Sequence, residues 1–276
     1  MKISVVIPTF NRVQFIENTI KSVLEQSYKV DEIIVVDNNS TDNTCELVKN
    51  KFPNVRLLRE NQQGVSYARN TGINNAKNNW IAFLDSDDQW LRNKIELQVN
   101  KVKSHNYNSL FVHTDEIWIK NGKKINQKKK HMKLEGYIYK ECLNMCIISP
   151  SSVLVNRHLF NEYGMFRPWL KVCEDYELWL RFTSKVPIYL VNVPCVVKYG
   201  GHPGQLSKKH WGIDRFRVRA LEKLILRFNL NKIQTKDTTN ALISKIKVII
   251  SGAEKRKNKK IMKIYNFKKN YWKDKI

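Results

Sequence analysis

The residues Asp85-Ser86-Asp87-Asp88 put three carboxylates into four positions. Like charges packed that closely call for compensation, and a hard divalent cation supplies it: Mg²⁺ is commonly held by one or two carboxylates together with substrate phosphates. The same residues also suit a surface turn with a helix cap ahead of Trp90. A second polar group, Asp37-Asn38-Asn39-Ser40, is either a plain turn or a place where Asp37 accepts a hydrogen bond from a nucleobase or ribose. Gly64 to Asn70 opens a helix, whose N-terminus favours anions; Arg69 lies about one and a half turns in, within reach of phosphate or base. Glu174-Asp175 either complements the dipole of the helix it leads into or supplies, in Asp175, a general base for an acceptor hydroxyl. The neighbouring Cys173 has no histidine close in sequence and is set aside as a nucleophile. Last, the glycine-rich turn Gly200-Gly201-His202-Pro203-Gly204-Gln205 allows close approach to a ligand, and His202 is able to contact metal or phosphate.

What must position these groups is an alternation of strands and helices. Ile3 to Ile7 reads as a buried strand ended by Pro8, and Val13, Ile16, Ile20, Val23 and Leu24 recur at helical spacing. Further apolar runs cover Ile33 to Val36, Val55 to Leu58 and Trp80 to Leu84, with helical patterns between them. Such alternation argues for an α/β fold with a mostly parallel central sheet flanked by helices. The polar groups Thr9 and Asn11, Asp37, Glu60 and Asn61, and Asp85 to Asp88 then fall beyond the C-terminal ends of four strands. In open α/β sheets that edge binds ligands. Farther along, Leu110 to Ile119 and Val153 to Val155 read as strands, Glu177 to Phe182 as a short helix, and Tyr189 to Val197 as extended chain interrupted by Pro194. Asp214 to Phe228 is helical, and the rest is basic and amphipathic.

The 276 residues carry 49 Lys+Arg against 25 Asp+Glu, a formal charge of +24 that favours anionic partners. Residues 231–276 hold 14 of the basic residues and 3 acids, and a run from Lys120 to Lys133 reads as a solvated lysine-rich loop. Five cysteines without a CxxC pair fit a reduced, cytoplasmic setting. The N-terminus lacks the long apolar stretch of a secretion signal, and no segment is apolar enough to span a bilayer. Contact with an anionic membrane would be peripheral, through the basic tail. A nucleic-acid-binding role is the rival use of the charge, but the tail carries no recognised reading signature.

Together the motifs Val5 to Arg12, Ile34 to Asp42, Gly64 to Asn70, Phe83 to Asp88 and Glu174-Asp175 resemble, in order and spacing, those of the family-2 glycosyltransferases, whose nucleotide-binding fold is of the GT-A type. The resemblance implies a nucleotide-sugar-binding half over residues 1–100, an acceptor-binding and catalytic half over 101–212, and a helical basic extension over 213–276. It implies a nucleotide site of Pro8, Thr9, Asn11, Arg12, Asp37, Asn39, Arg69, Asp85 and Ser86, with Asp37 on the base and Asp85 on the ribose. Asp87, with His202, would hold Mn²⁺ or Mg²⁺ on the diphosphate, and Asp175, supported by Glu174, would be the base of an inverting transfer. The implied substrates are a nucleotide-sugar, UDP-linked in many members, and a glycan or lipid-linked acceptor in bacterial surface polysaccharide synthesis, such as lipopolysaccharide, capsule or teichoic acid. Many members have a second acid where this chain has Asn38. A metal-dependent nucleotidyltransferase using the same rim is the enzymatic alternative.

Overall fold

The structure is a computed structural model that describes residues 1–106, 110–202, 204–205 and 210–275. Strands β1 (Ile3–Thr9), β2 (Glu32–Asp37), β3 (Arg56–Arg59) and β4 (Trp80–Phe83) alternate with helices α1 (Ile16–Leu24), α2 (Thr44–Lys51) and α3 (Val65–Asn75). They pair in parallel in the order β3-β2-β1-β4. Strand β1 continues through Pro8 to Thr9, two residues beyond the Ile7 end expected from the proline. Its pairing with β4 ends at Val6, so no β4 carbonyl is waiting for the proline's missing N–H.

Beyond this half the sheet is mixed. Strands β5 (Asp88–Trp90), β6 (Phe111–Lys120), β7 (Lys123–Ile125), β8 (Leu154–Asn156) and β9 (Tyr189–Gly200) extend it as β4-β8-β6-β9-β5, with β7 hairpinned on β6. Only the β6–β9 pairing among these is parallel. The segment broken at Pro194 is therefore one long strand. Its register against β6 shifts where Pro194 faces Asp115, which bends the ladder and re-aims the residues that follow. The lysine-rich stretch is likewise not all solvated loop: it forms β7 and a 3₁₀ turn at Lys129–His131, and its last lysine, Lys133, is buried.

Alternating residues feed two cores, one on each face. Val6, Ile34, Val36, Ile81 and Phe83 look one way; Val5, Ile7, Val35, Ala82 and Leu84 look the other. The first face is covered by α3, α5 (Tyr139–Asn144), α6 (Arg157–Tyr163), α7 (Glu174–Thr183) and α8 (Asp214–Arg227), the second by α1 and α4 (Lys94–Ser104). Helix α3 comes so close to β1 that a Cβ on Gly72 would lie 2.2 Å from Val6 Cγ1.

The basic extension is helical, and it is also part of the core. Helix α9 (Lys232–Lys255), started by a reciprocal Asn231–Gln234 capping box, buries Ala241, Leu242, Ile246 and Ile250. Helix α10 (Lys259–Lys273) buries Tyr265 and Trp272, and the Trp272 indole N–H donates to Glu222. No described helix is long and apolar enough to cross a membrane.

Candidate active site

Parallel register sets Thr9 beside Asp37, and Asp37 beside Arg59, at the C-terminal ends of β1, β2 and β3. Thr9 and Asp37 are each 2% exposed, yet Thr9 Oγ1 and Asp37 Oδ1 have no hydrogen-bond partner among the described residues. The other Asp37 oxygen accepts from the Ser40 N–H. Two orphaned, neighbouring polar atoms in a buried rim suit a polar ligand, because leaving them unpaired costs free energy.

The loops around them are cross-tied. Asn11, in left-handed backbone, donates its N–H to Ser40 Oγ, and its side-chain carbonyl accepts from the Thr41 N–H. Arg12 donates to the Gly204 carbonyl and lies 3.6 Å from Asp87. Asn38 donates to the carbonyls of Glu60 and Gln62 and accepts the Gly64 N–H at 2.6 Å. An asparagine there both donates and accepts, which an ionised acid could not, and it holds the glycine entry to α3 in place. Asn39 ties to the Asn61 carbonyl in the same way. Pro8 is buried in β1. Ser86 is buried too, with its carbonyl accepting from Thr19 Oγ1, so it faces α1 more than the open rim.

Within the aspartate run the three carboxylates have separate surroundings. Asp85 accepts from Arg69 at 2.7 Å; burial opposes its ionisation, but Arg69 and Lys198 outweigh that and hold it below the usual range. Asp87 faces His202 Nε2 at 3.0 Å as well as Arg12, and burial together with Asp85 holds its carboxyl above the usual range. Asp88 is buried, accepts from Ser151 Oγ at 2.6 Å and from the Tyr199 N–H, and is pushed up to about 7, mainly by burial. Ser151 also accepts the Asp85 N–H, so one buried hydroxyl clamps both ends of the run.

Asp87 and His202 together offer two ligands to a divalent cation. No set of three or more His, Cys, Asp or Glu side chains converges among the described residues. The pair therefore fits an Mn²⁺ or Mg²⁺ shared with a substrate's diphosphate, and does not make a closed protein cage. Of the glycine-rich turn, Pro203 lies outside the described residues.

Arg69 joins the two halves of the site. It is 4% exposed and sits over the Phe166 ring at 5.1 Å. One guanidinium nitrogen bonds Asp85 and the other bonds Glu174 at 2.6 Å. Glu174 is pushed up to about 7 by burial and by Asp175, against the pull of Arg69. Asp175 follows at the first turn of α7, entered through Cys173 in left-handed backbone. It caps its own helix by accepting the Tyr176 N–H, and it is half-exposed into a cavity of about 310 Å³. The Cys173 thiol is pushed up to about 12 by burial and by Asp175, which removes it as a nucleophile.

That cavity holds the residues the motifs did not point to. Glu116, Trp118, Lys133, Lys198 and Arg217 line it with Asp175. Past the Pro194 irregularity, Lys198 falls opposite Trp118 on one side and opposite Asp88 on the other. Burial works against its charge, but Asp88 foremost, then Glu116, Asp85 and Asp175, hold the ammonium above its usual value. Glu116 is paired with Lys133 at 3.2 Å and bonded by Ser149 and the Trp118 indole N–H. Burial would raise its carboxyl, yet the two lysines and these donors pull it down to about 2. An adjacent pair of acids, Asp115 and Glu116, inside β6 is the one sequence signal that could have flagged it.

The fold has counterparts in known proteins. The solved structure of S. aureus TarS 1-349 in complex with UDP-GlcNAc superposes with a TM-score of 0.69 at 16% identity, over 99% of this chain and 92% of that one. At that identity the likeness shows the fold, of the GT-A type. Escherichia coli WfgD, a UDP-Glc:alpha-D-GlcNAc-diphosphoundecaprenol beta-1,3-glucosyltransferase, is 32% identical over 192 residues, 69% of this chain and 73% of that protein. Bacillus subtilis TuaG, a putative teichuronic acid biosynthesis glycosyltransferase, is 29% identical over 80% of this chain and 89% of its own length. An uncharacterised glycosyltransferase of Rickettsia felis is 34% identical over 67% of this chain, which spans only 30% of that longer protein. The profile of glycosyl transferase family 2 matches residues 4–164, and the chain belongs to that family.

Proposed function

We propose that this protein transfers a sugar, with inversion, from a nucleotide-sugar, UDP-linked by preference, to a hydroxyl of a glycan or lipid-linked acceptor in the building of a bacterial surface polysaccharide. The observation that carries the reading is the Arg69 bridge. It couples Asp85, on the rim with the orphaned Thr9 and Asp37 oxygens, to Glu174, whose neighbour Asp175 opens onto the cavity of about 310 Å³. A donor nucleotide and an acceptor hydroxyl thus have separate places with the Arg69 guanidinium between them. The donor chemistry of the relatives supports the same choice: one is a UDP-glucose enzyme and TarS is solved with UDP-GlcNAc.

In this mechanism Thr9 and Asp37 take the polar edge of the base and Asp85 the ribose. Arg12 and Arg69 supply positive charge near the leaving diphosphate. A Mn²⁺ or Mg²⁺ held by Asp87 and His202 would further stabilise the negative charge of the leaving group. Asp175 accepts the proton of the acceptor hydroxyl as the new glycosidic bond forms and the sugar–phosphate bond breaks. Glu174 and Arg69 hold Asp175's helix against the donor rim. Lys198 sits between Asp88 and the cavity, where it orients the acceptor.

Asp175→Asn tests the assignment. Transfer should fall by about two to four orders of magnitude, the span of general-base catalysis, while calorimetric UDP binding stays unchanged. Normal turnover in the variant removes Asp175 as the base. Release of inorganic pyrophosphate in place of a nucleoside diphosphate would move the protein to the nucleotidyltransferases.

The face left exposed by α9 and α10, with Ile233 and Phe267 each 74% exposed and Val248 58%, suits contact with an anionic membrane next to a lipid-linked acceptor. Because these helices also bury core residues, deleting them confounds unfolding with loss of binding. Glutamine replacement of the exposed Lys255, Lys257, Lys259 and Lys260 is the cleaner test. Vesicle pelleting on anionic lipid should drop, and unchanged pelleting would remove the membrane role.

A further inference from the structure

A second cavity, of about 350 Å³, lies on the other side of α7 and α8 from Asp175. On α7, Asp175 faces the first cavity while Glu177 and Arg181 line the second; two residues on a helix differ by about 200°, so these are opposite faces. Helix α8 repeats the arrangement, with Arg217 on the first cavity and Arg219, Lys223 and Arg227 on the second. The two helices form a wall with a pocket on each side.

The charge in this second pocket is one-sided. Arg181 is 1% exposed and is fully engaged, by Glu177 at 2.8 Å and by the carbonyls of Tyr163, Gly164 and Met165. It neutralises the only acid there. Arg167, Arg219, Lys223 and Arg227 remain, and none of the four has a carboxylate within 4.0 Å among the described residues. Arg219, Lys223 and Arg227 stand at four-residue intervals, about 6 Å apart along the helix. Two aromatic walls, Trp169 and Phe228, complete the pocket, with the Arg219 guanidinium 5.1 Å from the Trp169 ring. Burial, and to a lesser degree the nearby Arg167, hold the Arg181 guanidinium below its usual value against the pull of Glu177.

We propose that this pocket is a binding site for a diphosphate group, separate from the donor rim. Three cations spread along about 12 Å of α8, with Arg167 also in the lining, match the several oxygens of a diphosphate better than a single carboxylate. The aromatic walls leave room for an apolar or planar substituent beyond it. The site stands independently of the role of Asp175, since no residue of the transfer mechanism lines it.

The test is calorimetric titration of inorganic pyrophosphate into the full chain in metal-free buffer, compared with the Arg219→Ala/Arg227→Ala double variant. Both side chains are exposed, so the fold should persist, which circular dichroism checks. The variant should lose about a hundredfold in affinity for one class of site, roughly tenfold for each charge-assisted contact removed, and keep its UDP affinity. A parallel titration with geranyl diphosphate separates the sources. Tighter binding than pyrophosphate points to a lipid-linked diphosphate, and equal binding to a free one. Identical pyrophosphate isotherms for wild type and variant, or loss of UDP binding in parallel, would overturn the proposal.

Discussion

Replacing Glu116 by glutamine should cost a stability that depends on pH in a defined way. The Glu116 side chain is 1% exposed and its carboxyl is drawn from 4.5 to about 2 by Lys133, Lys198 and two hydrogen-bond donors that overcome burial. A folded-state value below the unfolded one contributes stability that is complete above pH 4.5 and disappears as pH falls towards 2. At about 1.4 kcal/mol per unit, the contribution near neutrality is about 3 kcal/mol. Glutamine keeps the shape but has one acceptor oxygen where Ser149 and Trp118 use two, and it cannot ionise. Glu116→Gln should therefore be about 3 kcal/mol less stable at pH 7, about 6–12 °C in melting temperature for a chain of this size, and nearly equal to wild type at pH 2. Urea unfolding of both proteins at several pH values between 2 and 7 gives the difference directly, and other carboxylates cancel in the subtraction. A difference that does not change with pH would refute the reasoning, because it would place the effect in packing and not in charge.

Two further outcomes follow from the same geometry. Lys198→Met removes an ammonium shared by Asp88 and Glu116, so transfer should fall about tenfold or more with UDP affinity unchanged; equal loss of both would place Lys198 on the donor. Gly72→Ala gains about 1 kcal/mol of helix propensity but sets a methyl 2.2 Å from buried Val6, so net destabilisation of about 2 kcal/mol should be relieved by adding Val6→Ala.

How much of this was legible in sequence varied along the chain. The first half read well because parallel strands buried on both faces are short apolar runs, and each ends where a polar loop begins. Asp37 and Asp85 were picked out by that rule, and Arg69 by its place about one and a half turns into the helix that Gly64 opens. Lys198, Glu116 and Ser151 were not, because long-range pairing alone makes them neighbours. Lys198 meets Asp88 across 110 residues through β5 and β9, and the shift at Pro194 decides which way it faces. Lys133 was lost in a run of lysines that reads as solvent-exposed, and only the acid on β6 explains why one of them goes inside. The basic tail misled for the opposite reason: its charges are conspicuous, while the apolar stripe that docks it is spread over two helices.

The Arg69 bridge also bears on how such proteins can be recombined. Family members that share a donor module but differ in acceptor suggest hybrids, with the front part of one protein joined to the back part of another. In this chain the seam between such parts is spanned by the buried Arg69 guanidinium, whose two anionic partners come from opposite sides of it. A hybrid that brings the arginine without a matching Glu174, or the glutamate without the arginine, would leave an unpaired charge in the interior, a defect of about 3–5 kcal/mol. Residues 69, 85 and 174 would have to be inherited as a set.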